Sequence, residues 1–268
     1  VPTCALPISK IYAIIGDPIE HVRTPLVFNT RFEQGGHDAV LVPLKVPLAT
    51  LPATLAGFRT LANFGGCVVT APLKAPCAVL CDVLEGNGKL AGAVNALRRE
   101  PDGRLVGDLF DGLGFVAGLR AHGIEPSGKR IYIAGAGGAG TALAFALAGA
   151  GAARLTIHNR TAPKSVALAA RVAAAYPQCE VAAGGPDPSG HDVAVNATAL
   201  GLEPGDPFGF DVERLTPEMI AAEVIMKPET TALLQAAAAR GCRIHQGRHM
   251  LDGQADLLAR FLGMPGAG

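Results

Sequence analysis

The sequence predicts an α/β protein made of two α/β domains with a cleft between them. Short apolar runs alternate with helix-periodic segments along most of the chain, the pattern of a mainly parallel sheet. A glycine-rich turn, Gly135-Ala136-Gly137-Gly138-Ala139-Gly140, stands between a strand and a helix. The 268 residues suffice for two medium domains, each with its own core.

Taken in order, Lys10–Ile15 reads as a strand closed by Gly16-Asp17-Pro18. Thr24 as N-cap and Pro25 at the first helical position open a helix to about Gln34. Ala39–Val46 is a strand, Leu48–Leu61 a helix, Cys67–Thr70 a short buried strand and Ala75–Val83 a helix. Strands Gly92–Arg98 and Arg104–Asp108 flank the turn Pro101-Asp102-Gly103. Helix Gly112–His122 leads to strand Ile131–Ala134, the glycine turn, helix Ala139–Ala150 and strand Arg154–His158. Helix Ser165–Ala175 follows, then strands Glu180–Ala183, Asp192–Asn196 and Ala222–Ile225. Helix Thr231–Arg240, strand Cys242–His245 and a helix from about Leu251 to Leu262, which Gln254 opens, complete the chain. Residues 1–107 with 246–268 are expected to form one domain and 108–245 the other.

The strand–turn–helix–strand context gives the glycines meaning. Gly135, Gly137 and Gly140 make G-x-G-x-x-G, which lets the backbone turn tightly and approach a pyrophosphate resting on helix N–H groups. The second half selects the dinucleotide. An NAD-type site places an acid after the second strand, but no Asp or Glu lies between Gly135 and Gln178. His158-Asn159-Arg160-Thr161 stands there instead, with Lys164 nearby. Arg160, Lys164 and the Thr161 hydroxyl suit a 2′-phosphate, so the expected cofactor is NADP(H).

Composition excludes other classes. Lys+Arg and Asp+Glu are each 23, so the chain has no electrostatic footprint for nucleic acid or a membrane surface. No apolar run approaches the ~20 residues of a spanning helix. The six cysteines form no C-x-x-C pair, so reduced thiols, no metal and a cytoplasmic location are expected. Val1–Ser9 lacks an initiator Met, a charged n-region and a cleavage site, and Cys4–Ile8 resembles a translated sequencing-adapter read. No function is placed there.

Polar residues gather at strand ends and turns. Lys74 follows a buried strand and Pro72; Asn95 sits in an apolar strand; Asp111 starts a helix. Lys and Asp on one hydroxyl form a proton-transfer pair, the ammonium donating to a developing alkoxide as hydride reaches the carbonyl carbon.

From Gly16 to Gly263 the chain resembles the shikimate dehydrogenase family. The matching stretches are G-D-P-I-x-H (Gly16–His21), V-T-x-P-x-K (Val69–Lys74), G-A-V-N (Gly92–Asn95), D-G-x-G-F (Asp111–Phe115), G-x-G-G-A (Gly135–Ala139), N-R-T (Asn159–Thr161), N-A-T-x-L-G (Asn196–Gly201), P-x-x-T (Pro228–Thr231) and G-x-x-M-L-x-x-Q (Gly247–Gln254). The resemblance implies an N-terminal substrate-binding sheet domain, a Rossmann domain for NADP, and reduction of 3-dehydroshikimate to shikimate. It implies Lys74 and Asp111 as the catalytic pair and Asn95, Gln254, Thr70 and Thr24 as substrate ligands. Gly135, Ala136, Gly137, Gly138, Ala139, Asn159, Arg160, Thr161, Lys164, Asn196, Thr198 and Gly247 fall to the cofactor. The expected partner is a small cyclic polyol carboxylate, and the expected assembly a monomer or homodimer.

The chain departs from the family at the substrate. His is usually followed by Ser-x-Ser-Pro, whose hydroxyls bind the carboxylate; here His21-Val22-Arg23-Thr24-Pro25 keeps one hydroxyl. Losing such a donor costs about 1.5–3 kcal/mol. Leu73 replaces a His, Leu109-Phe110 an Asn-Thr, and Met226 a Tyr. Quinate or another hydroxylated ring acid is therefore an alternative substrate, and a catalytically silent dinucleotide sensor an alternative role.

Overall fold

The computed structural model describes residues 9–20 and 22–267. The N-terminal run with Cys4, His21 of the first motif, and Gly268 lie outside the described residues. The chain forms two compact α/β units, Val1–Phe110 with Ala255–Gly268, and Asp111–Gln254.

In the first unit β1 (Lys10–Gly16), α1 (Thr24–Gln34) and β2 (Ala39–Lys45) are followed by a 3-10 turn at Leu48–Thr50 and α2 (Leu51–Thr60). Next come β3 (Phe64–Val69), α3 (Lys74–Leu80), β4 (Val83–Leu84), α4 (Gly86–Ala91), β5 (Ala96–Arg99) and β6 (Leu105–Asp108). The sheet order is β2-β1-β3-β5-β6-β4. The sheet is mainly parallel, as expected, with one reversed strand: β5 runs antiparallel to both β3 and β6. The short turn at 101–103 forces the β5–β6 hairpin, because a parallel pair needs a long crossover. Ile15, Leu51, Leu55, Cys67, Leu73, Leu97 and Leu105 form its core, all at most 1% exposed.

Four local expectations need correction. Arg23, not Thr24, is the N-cap of α1, and Thr24 is the first helical residue. β3 begins at Phe64, before the expected Cys67, because Gly65 and Gly66 belong to the strand. A Cβ on Gly66 would lie 2.2 Å from the Leu97 carbonyl, so glycine there marks close backbone approach. The helix expected to Val83 stops at Leu80, where Cys81 turns extended. The strand expected from Gly92 starts at Ala96, because α4 intervenes and Gly92 closes it at φ 68°.

The second unit holds α5 (Asp111–Ala121), β7 (Arg130–Ala134), α6 (Gly138–Gly149), β8 (Arg154–His158), α7 (Ala162–Ala175) and β9 (Glu180–Ala183). It continues with β10 (Val193–Asn196), β11 (Ile220–Glu223), α8 (Ala232–Ala239), β12 (Arg243–His245) and the start of α9 (Arg248–Phe261). The order β12-β11-β10-β7-β8-β9 is parallel throughout. β10 is buried along its length, as a doubly covered parallel strand requires. β11 ends at Glu223, two residues earlier than the expected Ile225. α9 starts at Arg248, so Gln254 lies in its second turn and does not open it.

Glycines let α5 pack closely. A Cβ on Gly112 would sit 2.1 Å from the Ala142 carbonyl of α6. On Gly114 it would meet the Gln254 Cβ at 2.5 Å, and on Gly118 the His249 carbonyl at 2.5 Å. Among the described residues no helix is long and apolar enough to cross a membrane. Cys67, Cys77, Cys81, Cys179 and Cys242 are free thiols. Burial pushes Cys77 up to about 12 and Cys81 up to about 11, so both stay protonated.

A pair of glycine substitutions tests this packing by urea denaturation. In α2, a Cβ on Gly57 meets nothing within 4 Å, so Gly57→Ala should stabilise by about 0.5–1 kcal/mol. Gly112→Ala should destabilise instead, since rigid backbone blocks its Cβ. Equal effects would contradict the close α5–α6 contact.

Candidate active site

The second unit builds an open cradle at the carboxyl ends of its parallel strands. Chain direction across the sheet reverses between β7 and β10, the topological switch point where such folds bind ligands. Gly135 leaves β7 at φ 113°, and a Cβ there would lie 2.8 Å from the Ala197 carbonyl beyond β10. Gly140 is tighter, since its Cβ would be 1.9 Å from the Gly135 carbonyl. Only glycines let the turn fold onto the first turn of α6. In contrast, a Cβ on Gly137, the N-cap of α6, or on Gly138 meets nothing within 4 Å. The helix start is open on that side, with Ala139 next in its first turn. This is a cradle that side chains would fill, and it fits a pyrophosphate.

The neighbouring strand ends frame it. Asn159, after β8, accepts from the Ala136 N–H at 3.1 Å and donates to the Thr161 carbonyl at 3.1 Å. One amide thus ties the glycine turn to the loop carrying Arg160, which is exposed, as are Thr161 and Lys164. Thr161 is the N-cap of α7. Asn196, the last residue of β10, accepts from the Thr198 hydroxyl at 2.6 Å and the Thr198 N–H at 3.1 Å. Gly247 lies against the next loop, where its Cβ would be 2.3 Å from the Ile225 carbonyl.

Glu223 organises this second half, and sequence reasoning gave it no role. It is 0% exposed and accepts from Asn196 Nδ2 at 3.1 Å, the Thr231 hydroxyl at 3.2 Å, and the Val224 and Ile225 N–H groups at 3.0 and 3.2 Å. Burial pushes its carboxyl up to about 7, and the four donors oppose the shift without cancelling it. A lone acid ending an apolar strand was the available clue.

The remaining site residues divide between the units. In the first, Thr70, Lys74 and Asn95 are linked through backbone. The Leu73 N–H donates to the Thr70 carbonyl at 3.0 Å, the Val94 N–H to the Lys74 carbonyl at 3.0 Å, and the Val69 N–H to the Asn95 carbonyl at 2.7 Å. Lys74 opens α3 half-buried; Asn95 is buried, and its Oδ1 accepts from the Phe110 N–H at 2.8 Å. Thr24 is buried in the first turn of α1. In the second unit, Asp111 starts α5 and is 6% exposed. Gln254, also 6% exposed, packs against Gly114 one turn on. Leu73 and Leu109, read from sequence as changes in the substrate's surroundings, are 0% and 1% exposed. Leu73 packs in the core cluster of the first unit.

The second unit also gathers three histidines that no spacing rule singled out. His122, His245 and His249 each place a ring nitrogen within 4.8 Å of the others. Burial first, then the neighbouring positive charges, pushes His245 down to about 3.

A family profile described as the shikimate dehydrogenase substrate binding domain matches residues 14–97. A shikimate dehydrogenase (NADP(+)) of Rubrobacter xylanophilus is 38% identical over 252 residues, 91% of this chain and 87% of that protein. The chain belongs to the shikimate dehydrogenase family. A shikimate 5-dehydrogenase from Listeria monocytogenes, solved with shikimate and NAD, superposes with a TM-score of 0.90 at 27% identity over 98% of this chain and 94% of that one. A ligand-free 5-ketofructose reductase of a Gluconobacter species gives 0.86 at 31% identity over 95% and 92%.

The Glu223 carboxyl carries a pH prediction. Its folded value of about 7 exceeds the ordinary 4.5, so between these the native state holds a proton that the unfolded chain has lost. The group's contribution therefore falls as pH rises through that window, by about 3 kcal/mol in all. His245 titrates in the opposite sense below pH 6.5, so the test is the difference between wild type and Glu223→Gln. That difference should shift against wild type by about this amount between pH 4.5 and 8; a constant difference would contradict the assignment.

Proposed function

We propose that the chain is an NADP(H)-dependent oxidoreductase that interconverts 3-dehydroshikimate and shikimate. The supporting observation is 38% identity to a shikimate dehydrogenase (NADP(+)) along 91% of the chain, with Lys74 and Asp111 standing in their motifs. The first turn of α6 receives the pyrophosphate, and Arg160, Lys164 and Thr161 hold the 2′-phosphate. Bound NADPH supplies the hydride to the substrate carbonyl carbon. Lys74 gives a proton to the carbonyl oxygen as negative charge builds there, and Asp111 keeps that amine in its ammonium form. In the reverse direction the Lys74 amine accepts the hydroxyl proton. Asn95, Gln254 and Thr70 orient the ring hydroxyls. Thr24 supplies one hydroxyl to the carboxylate.

A second reading keeps these roles and changes the ring acid to quinate or a related hydroxylated carboxylate. Val22 favours it, because one of the two hydroxyls usual in that segment is missing. A fold neighbour named for 5-ketofructose extends the range of carbonyl substrates to be tested.

Two measurements check these roles. Lys74→Ala should lose at least about 100-fold in kcat with little change in KM; wild-type kcat in this variant would contradict the mechanism. A panel of shikimate, quinate and 5-ketofructose, each with the NADP and NAD forms, should give the highest kcat/KM for shikimate with NADP⁺. A preference for NAD⁺ would overturn the role of Arg160, and a preference for quinate would replace the first reading by the second.

A further inference from the structure

We propose that His122, His245 and His249 form a binding site for one divalent late transition-metal ion of the zinc class. The three come from different segments of the second unit: the end of α5, the end of β12 and the start of α9. The ion would staple these segments together. Neutral imidazoles suit zinc, cobalt(II), nickel(II) and copper(II), and three of them form a known ligand set for zinc with one further position left for water.

The geometry supports this in two ways. The Nδ1 atoms of His245 and His249 face each other at 3.2 Å. Zinc–nitrogen bonds of 2.0–2.1 Å in a tetrahedron give a nitrogen–nitrogen edge of about 3.3 Å. His122 Nδ1 lies 2.8 Å from the Gly118 carbonyl, and donation there leaves the lone pair on Nε2. A carbonyl in that place is the usual outer-shell partner that fixes a ligating imidazole. His245 is 1% exposed, and its Nε2 is buried with no hydrogen-bond partner among the described residues. Nε2 is not the ligating atom, which is the Nδ1 that faces His249.

The surroundings permit a cation. His122 stacks on His249 with centroids 3.7 Å apart and is exposed, so an ion can reach the cluster from solvent on its side. The adjacent arginines have other partners: Arg248 pairs with Glu229 at 2.8 Å, and Arg243 donates to the His122 carbonyl. Their charge still opposes the ion, which sets the expected affinity below that of a site rich in thiolates. The ion would act structurally, by fixing the start of the helix that also carries Gln254.

The test uses chelator-stripped protein without a histidine tag. Titration with cobalt(II) should saturate at one equivalent with visible absorption of a low-coordinate ion, and zinc should displace it. Zinc should raise Tm by roughly 2–4 °C at saturating concentration. His122→Ala, at an exposed position, and His249→Ala should each weaken binding by more than about 100-fold while circular dichroism shows folded protein. Absence of stoichiometric binding would overturn the site. So would unchanged affinity in both variants, which would mean adventitious surface binding.

Discussion

The second unit depends on how closely backbone approaches backbone where β7 turns into α6. Gly140 lies against the Gly135 carbonyl and Gly135 against that of Ala197, at separations no side chain tolerates. That contact sets the angle at which α6 leaves the sheet and points its free N–H groups at open space. The turn is thereby linked to β10 on one side and, through Asn159, to the loop after β8 on the other. A fixed cradle needs no reorganisation to receive an anion, which is why the proposed cofactor role follows from rigidity.

Glycine spacing made that half of the fold legible, because G-x-G-x-x-G between strand and helix has few other physical uses. Asp111 at the start of α5 was equally readable from local sequence. Features created by distant pairing were not. The strand expected from Cys67 takes in Gly65 and Gly66, which lie against Tyr12 and the Leu97 carbonyl from distant strands. The short helix Gly86–Ala91 carries glycines that lower helix propensity, and the buried Asp108 compensates by accepting from the Gly88 N–H at 2.7 Å. Glu223 and the histidine cluster draw their partners from separate segments, so no periodicity announces them.

Burial also alters how the substrate side reads. Leu73 and Leu109, which depart from the family pattern, are both buried, as is Asn95. Met226, by contrast, is 44% exposed, and Val22 is half-buried beside the start of α1. Val22 and Met226 are thus accessible where Leu73 and Leu109 are not.

Calorimetric titration of NADP⁺ and NAD⁺ into wild type and Gly140→Ala tests the central claim most directly. Wild type should bind NADP⁺ more tightly than NAD⁺, and the variant should lose both while it remains folded. Undiminished binding by folded Gly140→Ala would contradict the claim that this backbone contact shapes the site.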